Sequence, residues 1–169
     1  MAREIAPKRQ TSLKEQFAAS LPWPLDAFQE EAIDKLDSGA GVLVCAPTSS
    51  GKTVVAEYAI FRALRAGSKV IYTTPLKALS NQKYHDFVRE YGLTTVGLVT
   101  GENSINPDAP VVVMTTEILR NLIYEDLERL DMVSHVVLDE VHYIDDFPRG
   151  SVWEESVLKA HTTIKPDGL

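Results

Sequence analysis

The sequence has a single cysteine, Cys45, among 169 residues. A framework of disulfides is therefore excluded, and no Cys/His cluster has the spacing of a zinc site. We expect Cys45 to be a buried, reduced thiol, which suits a cytoplasmic protein. No apolar run approaches the 18 residues of a membrane-spanning helix, and the first sixteen residues lack the apolar core of a secretory signal.

Positive charge is also scarce, because the formal net charge is −7 at pH 7. This disfavours a nucleic-acid binder that works through a broad basic face. It leaves room for a protein that grips a few phosphates with backbone N–H groups and hydroxyls. The length and the hydrophobic fraction of 44% are those of one globular domain with a core of its own.

Apolar, strand-like runs alternate with amphipathic helical patterns along most of the chain. Residues 1–20 are interpreted as an N-terminal arm, polar and basic over 1–10 with a short helix over 11–19, and residues 21–169 as one domain. Strands are predicted at 41–46, 69–73, 95–99, 111–115 and 135–138. Helices are predicted after an N-cap at Asp26 and at 52–66, 75–90, 116–130 and 151–161, with a loop at 103–110. This alternation predicts an α/β fold with a mostly parallel sheet and helices on both faces.

Residues 42–53, VLVCAPTSSGKT, have the strand–loop–helix context of a phosphate-binding P-loop. Alanine replaces only the first glycine of the motif, at Ala46. Backbone N–H groups are expected to point at nucleotide phosphates, helped by the dipole of the next helix. Lys52 adds a point charge, and Thr53 a hydroxyl ligand for Mg²⁺. The predicted binding residues are Thr48, Ser49, Ser50, Gly51, Lys52 and Thr53. A chance Gly-Lys-Thr is the less favoured alternative, because such matches rarely lie between a buried strand and an Ala-rich helix.

Two adjacent carboxylates, Asp139 and Glu140, end the last predicted strand. Ligands of open α/β sheets bind at the carboxyl ends of strands, so both acids are expected at the edge that holds the P-loop. We predict that Asp139 holds Mg²⁺ and that Glu140 orients or deprotonates an attacking water. His142 is expected at the rim of the site, where it could report on the nucleotide state. The alternative is a solvated acidic strand end.

The strings APTSSGKT and DEVH together resemble those of superfamily 2 DExH-box helicases. The strings at 73–83, 97–121 and 139–155 are similar to the superkiller-like, exosome-associated RNA helicases, and in particular to the HelY-type proteins of actinobacteria. The resemblance covers about residues 21–158. It implies the first RecA-like domain of a P-loop NTPase motor, with ATP and Mg²⁺ as cofactors and single-stranded RNA as the partner.

The same resemblance implies an adenine site between residues 23 and 29. Gln29 would pair with the edge of the base and Trp23 would stack on it. The alternative for Trp23 is an anchor that packs the proline-rich segment on the core, and Phe28 is expected to be a core residue.

The resemblance also implies that three further segments contact the backbone of the nucleic acid without reading its sequence. They contribute Pro75, Lys77 and Asn81, then Thr100 and Gly101, then Thr116 and Glu117. Arg149 is assigned a structural or coupling role and Trp153 a packing role. Glu102 stands where the family usually has aspartate, which keeps the carboxylate.

The family's Ser-Ala-Thr and Gln-x-x-Gly-Arg-x-x-Arg motifs are absent from these 169 residues. We expect the chain to be the first motor domain of a longer helicase whose second RecA-like domain supplies an arginine finger, and the isolated chain to be nearly inactive. In the family the strand that leads into Ser-Ala-Thr lies between the P-loop strand and the Asp-Glu strand, so a defect of the sheet is expected there. A DNA helicase of the same superfamily and a nucleotide-gated binding module without unwinding remain open alternatives.

Overall fold

The structure is a computed structural model that describes residues 11–47 and 50–141. In chain order its elements are α1 (Leu13–Ser20), α2 (Ala27–Asp37), α3 (Thr53–Ala66), β1 (Lys69–Thr74), α4 (Lys77–Tyr91), β2 (Val96–Val99), β3 (Ser104–Ile105), β4 (Val111–Thr115), α5 (Thr116–Glu125), a 3₁₀ helix (Leu127–Leu130) and β5 (Val133–Leu138). The helix predicted at 151–161 lies outside the described residues.

The five strands form one sheet in the order β3-β2-β4-β1-β5. All pairs are parallel except the short antiparallel pair of β2 with β3. The register sets Tyr72 of β1 opposite Val113 of β4 on one side and Val137 of β5 on the other. The predicted mostly parallel α/β sheet is confirmed.

Helices cover both faces of this sheet, as predicted. On one face α3 and α4 bury a cluster that contains Ile60, Tyr72, Phe87 and Val113. On the other face α5 and the 3₁₀ helix bury a second cluster, in which Leu119 packs with strand residues such as Val112. Alternating side chains of buried β-branched strands supply both clusters, which is why the strands have continuously apolar sequences.

The first two helices pack on α3 rather than on the sheet. Ser12 and Glu15 form a capping box that starts α1, with Glu15 N–H donating to Ser12 Oγ at 3.1 Å and Ser12 N–H to Glu15 Oε2 at 2.7 Å. Phe17 then lies edge-on to Tyr58, with ring centroids 5.2 Å apart, and joins Ile33 in a third buried cluster. Residues 13–20, assigned to the arm on sequence grounds, therefore pack against α3.

The strand predicted at 41–46 does not form. Residues 41–47 carry no strand assignment, and Leu43 is 72% exposed. Cys45, expected to be buried, is exposed as well. Both expectations were wrong because a strand needs a neighbour to pair its N–H and C=O groups. β1 has β4 and β5 on its two sides, and in the described part of the chain no strand lies beyond β5. Within the described residues the sheet therefore ends at β5, on the side where the defect was expected.

Smaller differences concern the ends of elements. α4 begins at Lys77 rather than at Pro75, and β5 begins at Val133, two residues before the prediction. The helix predicted over 116–130 breaks at Asp126, whose φ of −151° is not helical, and continues as the 3₁₀ helix. The short strand β3 lies inside the predicted loop and pairs with β2.

The close approach of the turn after β3 to β2 generates a stability prediction. A Cβ at the buried Gly97 would lie 2.0 Å from the carbonyl oxygen of Asn106, a backbone atom that cannot swing away. We expect Gly97→Ala to lower the free energy of unfolding by about 1–3 kcal/mol, the usual cost of overpacking. A Cβ at Gly41 meets nothing within 4 Å, so Gly41→Ala is the matched control. Urea unfolding checks this, and equal midpoints for the two variants would contradict the prediction.

Candidate functional site

The parallel strands bring four predicted segments to one edge of the sheet. Pro75 follows β1, Thr100 follows β2, Thr116 follows the last residue of β4, and Asp139 follows β5. Because β1, β2, β4 and β5 run parallel, their carboxyl ends meet at the same edge, which we call the carboxyl edge. The shared edge predicted for these segments is therefore observed.

The start of α3 reaches the same edge. α3 ends at Ala66, turns through Gly67 and enters β1 at Lys69, and it packs back along β1 and β5 through Ile60 and Ala63. Its 14 residues span about 21 Å, which matches the roughly 20 Å length of a six-residue strand. Glu57, one turn into α3, acts electrostatically on Tyr72 near the end of β1. Lys52 and Thr53 thus lie on the rim that holds Asp139.

The loop before α3 is partly described, since Thr48 and Ser49 lie outside the described residues. Ser50 N–H donates to the carbonyl oxygen of Pro47 at 3.2 Å, and Gly51 has a positive φ of 80°, a conformation that glycine adopts readily. The buried Ser50 Oγ has no hydrogen-bond partner among the described residues. Lys52 is exposed. The loop therefore presents a charge and an unpaired hydroxyl at the start of a helix.

Gln29 links α2 to this loop. Its Oε1 accepts from Asp26 N–H at 2.9 Å, and its Nε2 donates to the carbonyl oxygen of Gly51 at 3.0 Å. Gln29 is only 2% exposed, and a Cβ at Gly51 would lie 2.7 Å from Nε2. An amide has a second N–H and further lone pairs, so pairing with a base stays a prediction.

The aromatic residues near Gln29 are less buried than a packing role requires. Trp23 is 58% exposed, which disfavours its alternative as an anchor on the core. Phe28, expected in the core, is only half-buried. The exposed indole leaves a flat apolar surface free for stacking.

Asp139 is held more firmly than the sequence suggested. Its N–H donates to the carbonyl oxygen of Thr73 at 2.9 Å, which extends the β1–β5 ladder by one residue. Its Oδ2 accepts from the hydroxyl of Tyr72 at 2.6 Å and lies 3.9 Å from Lys83 Nζ, and its Oδ1 accepts from Glu140 N–H at 2.9 Å. Sequence reasoning missed Tyr72 and Lys83, although a tyrosine inside a buried strand needs a polar partner.

Glu140 has an exposed side chain on an unusual backbone. Its φ of 57° lies in the left-handed region, which costs a non-glycine residue about 1–2 kcal/mol. Such strain is often found where a side chain must point in one direction. His142 and Arg149 lie outside the described residues.

The predicted nucleic-acid segments differ in their surroundings. Lys77 contacts Glu102 across the carboxyl edge, and the Lys77 ammonium lowers the pKa of the exposed Glu102 carboxyl. Thr100 closes a turn, with its Oγ1 accepting from Asn103 N–H at 3.1 Å. Thr116 is the first residue of α5, and its buried Oγ1 has no partner in the described residues. Asn81 is half-buried, whereas Gly101 and Glu117 are exposed.

Within the described residues, no helix combines the length and the apolar character needed to cross a bilayer.

Comparison with known proteins adds the family. The DEAD/DEAH box helicase family matches residues 26–166. The chain is 59% identical to the probable helicase HelY of Mycobacterium leprae over 143 residues, which are 85% of this chain and 16% of HelY. It is 50% identical to the antiviral helicase SKI2 of Saccharomyces cerevisiae over 148 residues, 88% of this chain and 12% of SKI2. The chain thus spans about one sixth or less of these curated relatives.

A solved structure has the same fold. The Mycobacterium smegmatis helicase Lhr, in a structure bound to ssDNA and AMP-PNP, superposes with a TM-score of 0.67 at 25% identity. The match covers 90% of this chain and 23% of Lhr.

The burial of Glu57 beside this site generates a prediction about pH. Burial, and then Glu90, raise the pKa of Glu57 above its ordinary 4.5, while Lys83 opposes them. The folded state therefore binds more protons than the unfolded state, and stability falls as the pH rises from the ordinary pKa through the raised one. We expect Glu57→Gln to melt above the parent chain at pH 7.5, with the difference shrinking towards pH 4. The control is Glu31→Gln, an exposed site that loses the same charge. A constant difference across this pH range would contradict the prediction.

Proposed function

Because the chain belongs to the DEAD/DEAH box helicase family, we propose that it is the first RecA-like motor domain of an ATP-dependent RNA helicase. The observation that carries this proposal is the meeting of the α3 start and Asp139 at the carboxyl edge. A triphosphate seated at the start of α3 has the strand-end carboxylates beside it. In this arrangement the P-loop and the acidic residues can act on the same phosphate group.

ATP is the proposed nucleotide. The N–H groups of residues 48–53 surround its phosphates, and Lys52 neutralises part of their charge. Gln29 and Trp23 hold the adenine. Because Gln29 also bonds the carbonyl of Gly51, base binding and the shape of the phosphate loop are physically connected.

The donor set also fits Mg²⁺. Thr53 offers a hydroxyl and Asp139 a carboxylate, both hard oxygen ligands. The described residues contain no cluster of three or more His, Cys, Asp and Glu side chains placed to hold a metal ion. Mg²⁺ does not need such a cluster, because it is usually held by one or two protein oxygens together with phosphates and waters. When bound, Mg²⁺ supplies charge neutralisation at the β- and γ-phosphates.

Glu140 is the proposed catalytic carboxylate that orients the attacking water, and Lys52 and Asp139 complete the catalytic set. The water oxygen forms a bond to the γ-phosphorus as the bond to ADP breaks. Stabilisation of the transferred phosphoryl group by an arginine of a second RecA-like domain completes the site. The isolated chain is therefore expected to hydrolyse ATP at close to the background rate. His142 and Arg149 are proposed to couple this site to nucleic acid.

Single-stranded RNA is the proposed partner. Its backbone crosses the carboxyl edge over Pro75, Lys77 and Asn81, then Thr100 and Gly101, then Thr116 and Glu117. Phosphates compete with Glu102 for Lys77, and the start of α5, at Thr116, offers N–H groups. These contacts are local, so a net charge of −7 does not prevent them. A cytoplasmic location fits an RNA substrate.

A DNA helicase is the second candidate, favoured by the likeness to Lhr in a structure that contains ssDNA. Phosphate contacts do not report the 2′-hydroxyl by which proteins distinguish RNA from DNA. Competition between RNA and DNA strands in an ATPase assay of the natural full-length protein separates the two. A binding module without turnover is less favoured, because Glu140 is present at the strand end.

Substitution of the two key side chains tests the proposal in the natural full-length protein. Lys52→Ala should abolish ATP binding, measured by fluorescence of a labelled ATP analogue. Glu140→Gln should keep ATP binding but lower RNA-stimulated turnover by about 10²–10⁴-fold, the usual contribution of a positioned acid–base group. Glu31→Gln is the matched control, since Glu31 is an exposed carboxylate on α2. Unchanged turnover in Glu140→Gln, or fast RNA-stimulated turnover by the 169-residue chain alone, would contradict the proposal.

A further inference from the structure

A polar cluster next to Asp139 is not explained by the P-loop and the acidic pair. Tyr72 is 1% exposed, and its hydroxyl donates to Asp139 Oδ2 at 2.6 Å. Lys83 Nζ lies 3.9 Å from the same oxygen and 5.6 Å from the centre of the Tyr72 ring. Glu57 of α3 acts electrostatically on both Tyr72 and Lys83. Elements β1, α4 and the end of β5 therefore meet around one carboxylate oxygen, and Glu57 of α3 acts on the two side chains that reach it.

The hydrogen bonds fix the direction of the Asp139 carboxylate. Oδ1 accepts from Glu140 N–H and Oδ2 from Tyr72 O–H, so each oxygen is held by a different donor. A carboxylate has about four lone-pair positions. The two that remain for other ligands therefore have a fixed direction. The Tyr72 ring cannot shift to follow a moving carboxylate, because it packs edge-on to Phe87 with centroids 5.0 Å apart.

Lys83 connects this carboxylate to α4. The helix begins at Lys77, two residues after Pro75, and contributes Tyr84 and Phe87 to the core of the sheet. The segment proposed to hold nucleic acid therefore includes the first turn of the helix that carries Lys83. A shift of α4 would change the distance from the Lys83 ammonium to Oδ2 and thus the local positive charge with which a metal ion competes.

We propose that Tyr72 and Lys83 are positioning residues for Asp139: Tyr72 fixes the direction of its carboxylate, and Lys83 transmits the position of α4 to it. The inference rests on the proposed function, since it assigns a task to residues beside the proposed Mg²⁺–ATP site. Groups that orient metal ligands from outside typically affect metal affinity or activity by about 10–100-fold.

The test is Mg²⁺-dependent nucleotide binding by the natural full-length protein. The affinity for a fluorescent ATP analogue is measured in Mg²⁺ and in EDTA, and both measurements are repeated with a single-stranded RNA. The ratio of the affinity in Mg²⁺ to the affinity in EDTA reports how much the metal contributes to binding. Tyr72→Phe keeps the ring and removes only the hydroxyl, and Lys83→Met removes the charge while Lys83→Arg keeps it. Arg89→Gln is the matched control, because Arg89 lies on the same helix and pairs with Asp86 away from the site. Circular dichroism checks the folding of every variant.

We expect Tyr72→Phe to lower the Mg²⁺/EDTA affinity ratio about tenfold while affinity in EDTA stays unchanged. RNA should alter the ratio in the parent protein and in Lys83→Arg, and it should have no effect in Lys83→Met. A ratio for Tyr72→Phe within twofold of the parent, or an RNA effect that survives in Lys83→Met, would overturn the inference. Absence of ATP binding by the parent protein would instead overturn the proposed function.

Discussion

The site depends on the parallel pairing of β5 with β1. This ladder runs one residue past the strand, where Asp139 N–H bonds the carbonyl of Thr73 at 2.9 Å. This pairing fixes the position of Asp139 along the strand and the face of the sheet on which its carboxylate lies. Side chains alternate along a strand, so a slip of one residue would move the carboxylate to the other face. α3 packs on the same two strands, so one pairing places the start of the helix and the acidic residues together.

The surroundings of Asp139 are compatible with the proposed phosphate site in spite of a net charge of −7. Positive charge is placed singly: Lys52 lies at the start of α3, Lys83 beside Asp139, and Lys77 against Glu102. Helix starts add backbone N–H groups, and beside them the buried hydroxyls of Ser50 and Thr116 have no partner among the described residues. Groups of this kind act over a few ångströms, so the overall charge of the domain and the chemistry of its carboxyl edge are largely independent.

The local pattern of apolar residues correctly predicted the strands that have a neighbouring strand to pair with. It wrongly predicted a strand where such a neighbour is absent from the described residues. The apolar runs at 69–73 and 111–115 are strands because the pairing and burial that their sequences favour are available. The equally apolar run at 41–46 is not a strand, since strand formation depends on a neighbour that local sequence does not specify. The edge position of Asp139 followed from the general rule for α/β sheets. The contacts of Tyr72 and Lys83 with Asp139 could not be predicted, because they join residues more than 50 positions apart through the register of the sheet and the packing of α4.

The most direct test of this account locates the bound metal relative to the two ends of the sheet. Mn²⁺ bound with a non-hydrolysable ATP analogue broadens the NMR signals of nearby backbone amides in the ¹⁵N-labelled chain. We predict strong broadening at residues 51–54 and 139–140 and little at residues 67–69 and 132–133, which lie at the opposite edge. Broadening centred on 67–69 and 132–133, or on only one of the two carboxyl-edge segments, would contradict it.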